Sequence, residues 1–81
     1  MKIQVTKEHI QKGTRFDGSK CPIALACKDV RLMAPNIGYV GISIKFKEKR
    51  LYFSTPKRVY KFIKRFDFNQ KVKPFSFNLD V

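Results

Sequence analysis

Residues 38–67 read GYVGISIKFKEKRLYFSTPKRVYKFIKRFD, and this stretch decides the fold. Across Gly38–Phe46 the residues alternate. Val40, Ile42, Ile44 and Phe46 point one way and Tyr39, Gly41, Ser43 and Lys45 the other, the pattern of a half-buried strand. Lys47-Glu48-Lys49-Arg50 then predicts a basic hairpin turn, with Leu51–Ser54 returning as the partner strand. Thr55-Pro56 marks a helix start: a hydroxyl to cap the first free amides, then a proline whose missing N–H costs nothing there. Beyond it the periodicity changes. Val59, Phe62, Ile63 and Phe66 follow the i, i+3, i+4, i+7 spacing of a buried helical stripe, which predicts a helix to Phe66 or Asp67, broken at Asn69-Gln70.

Working outward, the tail alternates again. Phe75, Phe77, Leu79 and Val81 share one side and Ser76, Asn78 and Asp80 the other. That predicts a last strand at or near a sheet edge, because Pro74 cannot donate to a ladder. On the N-terminal side Lys2–Val5 reads as a short strand. Thr6 caps a helical turn over Lys7–Lys12, with Glu8 in its first turn and Gly13 as its stop. Thr14–Lys20, carrying Asp17-Gly18-Ser19, reads as a loop. Pro22 opens a second helix through Ile23-Ala24-Leu25-Ala26-Cys27, ending near Asp29 and Val30, whose small residues allow close packing on a sheet. A strand is expected over Val30–Met33 and a turn at Ala34-Pro35-Asn36, while Gly38 and Gly41 inside a strand point to a bulge or a close backbone approach. The order is β-α-α-β-β-α-β. The prediction is one α+β domain over residues 1–81: a small, mainly antiparallel sheet of three to five strands with two or three helices on one face.

Composition bounds the function. The 81 residues carry 18 Lys+Arg against 6 Asp+Glu, a net charge of +12, with 43% hydrophobic residues. Such a chain is too apolar for a disordered basic tail and long enough for one core only. No apolar run reaches the roughly 18 residues of a membrane span. Met1–Val5 alternates without an apolar signal core. A cytoplasmic protein with no membrane partner is expected. A +12 body carries a positive field that favours polyanions: nucleic acid, a nucleotide, an anionic membrane surface or an acidic protein. The charge has a competing source, since Lys, Ile, Asn and Phe are also what AT-rich codons supply. Cys21 and Cys27, six apart, are too far round a helix for a disulfide, and with His9 as the single histidine they fall short of a zinc set. No metal and no cofactor are expected.

Taken together, Val5-Thr6-Lys7-Glu8-His9-Ile10, Cys21-Pro22-Ile23-Ala24-Leu25-Ala26, Phe62-Ile63-Lys64-Arg65-Phe66-Asp67 and Val72-Lys73-Pro74-Phe75-Ser76-Phe77 resemble a group of small uncharacterised phage and prophage proteins. In these a Cys-Pro-Ile/Val-Ala-Leu-Ala helix precedes a hairpin, and a Phe-Ile-x-x-Phe-Asp helix and a Val-x-Pro-Phe-x-Phe strand close the chain. The resemblance implies a phage or mobile-element origin, an α+β fold and life in the cytoplasm of an infected or lysogenic host. It brings no catalytic residues. This chain departs from the pattern in charge, because the relatives are often acidic in the Phe-Asp helix and last strand.

The cations themselves form the first candidate site. Lys57, Lys61 and Lys64 follow i, i+4, i+7, and Arg58 and Arg65 are seven apart, opposite the apolar stripe. Lys45, Lys47, Lys49 and Arg50 on the hairpin are expected to add to that surface, and Tyr52 and Tyr60 are interleaved rings able to stack on bases. The reading is a non-enzymatic protein that binds nucleic acid or a ribonucleoprotein, with inhibition of a host defence complex as its concrete form. The alternative is a protein–protein module, binding a host protein or a second copy of itself, in which charge is incidental. For catalysis the one constellation is His9 with Cys21 or Cys27 as a thiolate–imidazole pair. Burial of both cysteines in a packing helix argues against it, and Asp67 is expected to serve as a hydrogen-bonding group at a helix end.

Overall fold

A computed structural model describes all residues 1–81. In chain order the elements are β1 (Lys2–Val5), α1 (Lys7–Lys12), α2 (Pro22–Asp29), β2 (Met33–Ile37), β3 (Gly41–Phe46), β4 (Lys49–Ser54), α3 (Lys57–Asp67) and β5 (Phe75–Asn78). The chain is α+β with every strand pair antiparallel. The five strands divide between two sheets. β2-β3-β4 form a meander, and β1 pairs with β5 across nearly the whole chain, Lys2 opposite Asn78 and Val5 opposite Phe75. β5 is therefore an edge, as Pro74 predicts, and so is its only partner.

α2 holds the two sheets together, packing on both β2 and β1, with α1 against it. Ile23, Ala24, Ala26 and Cys27 are all buried, and the alanines let the helix axis come close to strand backbone. The core is one cluster. Ile3 and Val5 of β1, Ile42 and Ile44 of β3, Val59, Phe62 and Ile63 of α3, and Phe77 and Leu79 at the C-terminal end all join it. Burying each such aliphatic side chain contributes roughly 1.5–3 kcal/mol. No helix is long and apolar enough to cross a membrane.

Several local expectations change. The strand expected at Val30–Met33 is displaced to Met33–Ile37, so Ala34-Pro35-Asn36 lies in β2 and not in a turn. Arg31 takes a left-handed φ of 64° and completes the exit from α2, and the β2–β3 register shifts between Met33 and Asn36, with Ala34 also left-handed at 44°. A bulge of this kind lets the strand carry a proline. The strand expected from Gly38 begins at Gly41. Gly38–Gly41 is the turn between β2 and β3, closed by Gly38 N–H donating to Gly41 O at 2.9 Å, so Val40 is 88% exposed and not core. The basic hairpin turn contracts to Lys47-Glu48, both at positive φ (50° and 67°), the conformation a two-residue hairpin loop needs. Lys49 and Arg50 belong to β4.

Candidate nucleic-acid interface

α3 forms because its apolar stripe is complete, and its start differs from the expected one. The Thr55 hydroxyl does not cap it. That Oγ1 donates to Gly38 O at 2.7 Å, and Pro56 occupies the cap position without a side-chain hydrogen bond. Its end is well made. Asn69 adopts a left-handed φ of 59°, its N–H donates to Phe66 O, and Gln70 N–H donates to Arg65 O at 2.8 Å. This is the Schellman geometry, and asparagine tolerates the backbone it requires. The motif reverses the chain, which returns alongside the helix through Lys71 and Lys73.

The result is two grooves sharing a ridge. One, of about 650 Å³, is lined by Lys57, Tyr60, Lys61, Lys64, Arg65 and Phe68 together with Gln70. The other, of about 490 Å³, lies between Arg58, Lys61 and Arg65 on one side and Lys71, Lys73 and Phe75 on the other. Lys61 and Arg65 line both. No carboxylate lines either groove. The molecule has two ion pairs, Lys12–Glu8 and Lys45–Glu48, and neither involves α3. The five predicted helix cations are therefore exposed, unpaired and on one surface, with Lys71 and Lys73 as additions that helical spacing could not reveal. Two cations lie against rings: Arg58 Cζ is 5.4 Å from the Phe75 centroid and Lys64 Nζ 5.7 Å from that of Tyr60.

This arrangement costs the helix something. Lys57, Lys61 and Arg65 repel at i, i+4 spacing, each pair by about 0.2–0.5 kcal/mol, and Lys57 and Arg58 sit at the end where the helix dipole disfavours cations.

Lys47, Lys49 and Arg50 of the hairpin line neither of these two grooves. Arg50 Nη1 instead donates to Ala34 O at 2.8 Å, bracing β2 across the sheet, and Lys47 lies over its neighbour Phe46. Lys49 is exposed on β4. Tyr52 is 77% exposed but stands opposite Ser43 on the meander, while Tyr60 lines the α3 groove.

Beside the larger groove lies a recess of about 220 Å³ that includes Phe16, Cys21, Tyr39 and Asp67. Asp67 is buried. Its Oδ1 accepts from Phe16 N–H at 2.9 Å and its Oδ2 from the Tyr39 hydroxyl at 2.7 Å. It is the hydrogen-bonding group expected at the helix end, with partners far away in sequence. The Asp67 carboxylate accepting that bond pushes the Tyr39 phenol up to about 12. Tyr39 in turn stacks on Tyr60, with centroids 5.9 Å apart.

The thiolate–imidazole pair is not formed. His9 Nδ1 accepts from Thr6 N–H at 2.9 Å, completing a capping box with histidine where glutamate is usual, and Nε2 donates to Asp29 Oδ2 at 2.6 Å. Both ring nitrogens are thus engaged. Cys21 and Cys27 are free and buried; burial raises the Cys21 thiol and pushes that of Cys27 up to about 12. No three His, Cys, Asp or Glu side chains gather as a metal-binding group. Comparison with protein families, curated proteins and solved structures finds no match to this chain.

Proposed function

We propose that this chain is a non-enzymatic accessory protein that binds nucleic acid, or the nucleic acid of a ribonucleoprotein, across the outer face of α3. The carrying observation is a surface of seven cations, five from α3 plus Lys71 and Lys73, with no carboxylate lining its grooves and no ion pair on the helix. Cations held at a cost to helix stability, and left unpaired, match a ligand that supplies the missing negative charge. Each phosphate neutralised releases counterion, so binding weakens steeply with salt. In a phage-derived setting such a protein would act in the host cytoplasm by occluding a nucleic-acid-guided defence complex, a step that rests on the resemblance in sequence.

The test is binding to single- and double-stranded DNA and RNA across a salt series, after removal of co-purified nucleic acid. Binding that stays measurable near physiological salt is expected, with a log–log slope that shrinks by about 0.7–0.9 for each cation removed from a phosphate contact. Lys61→Glu with Arg65→Glu should abolish it while the circular dichroism spectrum is unchanged. Undiminished binding by that double variant would refute the assigned surface.

The second reading, a homodimer through a strand edge, is favoured by β4, whose six residues leave one edge unpaired. It predicts a dimer that persists in high salt.

A further inference from the structure

Two phenylalanines stand in solvent where the C-terminal end of the α3 groove, lined by Phe68, meets the recess lined by Phe16. Phe16 is 66% exposed and Phe68 59%, and their rings meet edge to face with centroids 5.4 Å apart. Phe16 also has a left-handed φ of 58°, which a bulky residue adopts only where its surroundings impose it. The surroundings here are specific: the buried Asp67 carboxylate takes the Phe16 N–H and holds the Tyr39 hydroxyl with its other oxygen. One carboxylate thus anchors the Phe16 backbone and the Tyr39 ring, and Phe68 and Tyr60 line the groove beside Lys57, Lys61 and Lys64.

We infer that Phe16 and Phe68 are the base-stacking end of the α3 groove, so that its ligand is single-stranded nucleic acid with unpaired bases. The inference rests on the reading of α3 as a phosphate-binding face and specifies the ligand of that face. Exposed rings in mutual contact next to unpaired cations match a ligand that alternates phosphates with flat π surfaces. A duplex presents the phosphates but keeps its bases stacked on one another. An acidic protein segment supplies the charge with few flat surfaces. A second copy of this chain would bring the same unpaired lysines and arginines against their own kind, a like-charge juxtaposition that opposes association at this face.

The test compares three probes of equal phosphate number with the wild-type protein: an oligothymidylate of about 12 nucleotides, the same backbone with abasic sites, and a duplex. The thymidylate should bind about tenfold or more tighter than the abasic strand, since stacking one base on an aromatic ring is worth that factor. Phe16→Asn with Phe68→Ala should bring thymidylate affinity down to the abasic level and leave abasic affinity unchanged; asparagine tolerates the backbone at position 16. Equal affinity for thymidylate and abasic strand, or tighter binding of the duplex, overturns the inference and leaves the phosphate-binding face standing. Failure of all three probes to bind removes both. A wild-type dimer in sedimentation that Phe68→Ala converts to monomer also overturns it. The wild-type comparison decides the matter even where the double variant does not fold.

Discussion

α2 and α3 are both single helices in one small core, and they are built on opposite terms. α2 is enclosed. Pro22, Ile23, Ala24, Ala26 and Cys27 are buried, it touches both sheets, and its one cation, Lys28, sits in the last turn where the helix dipole favours it. α3 spends one face on the core and leaves the other as a row of mutually repelling cations. The contrast separates what the fold needs from what it merely carries. The buried face of α2 stabilises the molecule, whereas like charges at i, i+4 on the outer face of α3 repel one another. A surface kept at such a cost is where a partner is to be sought.

The largest effect should come from α2. Ile23→Ala removes a fully buried side chain between the two sheets and should cost about 2–5 kcal/mol, a large share of the stability of so small a domain, read from chemical denaturation. An effect below 1 kcal/mol would break the contrast. Next is the point where α3 ends against the rest of the fold. Asp67→Asn leaves one oxygen to accept where two donors converge, and should cost about 1–3 kcal/mol. The same variant should bring the Tyr39 titration back toward ordinary tyrosine, seen in tyrosinate absorbance.

Alkaline pH tests both regions. The Cys27 thiol on α2 and the Tyr39 phenol against α3 are each pushed up to about 12, from ordinary values of 9.0 and 10.0. A group whose proton is held more tightly in the folded state lends stability that is complete below its unfolded value and is lost as pH rises toward the folded one. Stability should therefore fall from pH 9.0 upward through the thiol and from 10.0 through the phenol, levelling only near 12. Tyr39→Phe should remove the second part alone. At neutral pH neither thiol should react with a disulfide reagent until the protein is unfolded.

The smallest effect has the opposite sign. Lys61 is flanked by Lys57, Arg58, Lys64 and Arg65 at helical neighbour positions. Lys61→Glu turns these repulsions into attractions and should stabilise the fold by about 0.5–1 kcal/mol, a rise of several degrees in Tm, while weakening binding to nucleic acid. A variant less stable than the parent would show that the outer face of α3 serves the fold after all.

Much of this was legible in the residues. The stripe of α3 and the alternation of Ile42 and Ile44 require only period counting, and Pro22 and Asn69 mark a start and an end by their own backbone chemistry. What escaped was non-periodic or long-range. β2 hides behind Pro35 and a bulge, and its residues resemble a turn because Ala34 does take a turn-like φ. The division into two sheets depends on β5 choosing β1, a pairing that no local pattern encodes. On the site, the helix cations were readable from spacing, whereas Lys71 and Lys73 reach the groove only because the chain reverses at Asn69. The hairpin cations look alike in sequence but line neither α3 groove, and Arg50 braces β2. Asp67, Phe16 and Tyr39 meet from three distant segments, which single-sequence reasoning does not bring together.

The pairing of β1 with β5 sets the order of events in folding. The meander closes through a two-residue turn between β3 and β4, whereas joining Val5 to Phe75 closes almost the entire chain. By loop entropy the second closure costs on the order of 3 kcal/mol more than the first. On a ribosome, β1 has no partner until β5 emerges, and until then Ile3 and Val5 lack the strand that pairs with them. Each new copy must pass this stretch of its synthesis with β1 unpaired, until β5 is made and closes the pair.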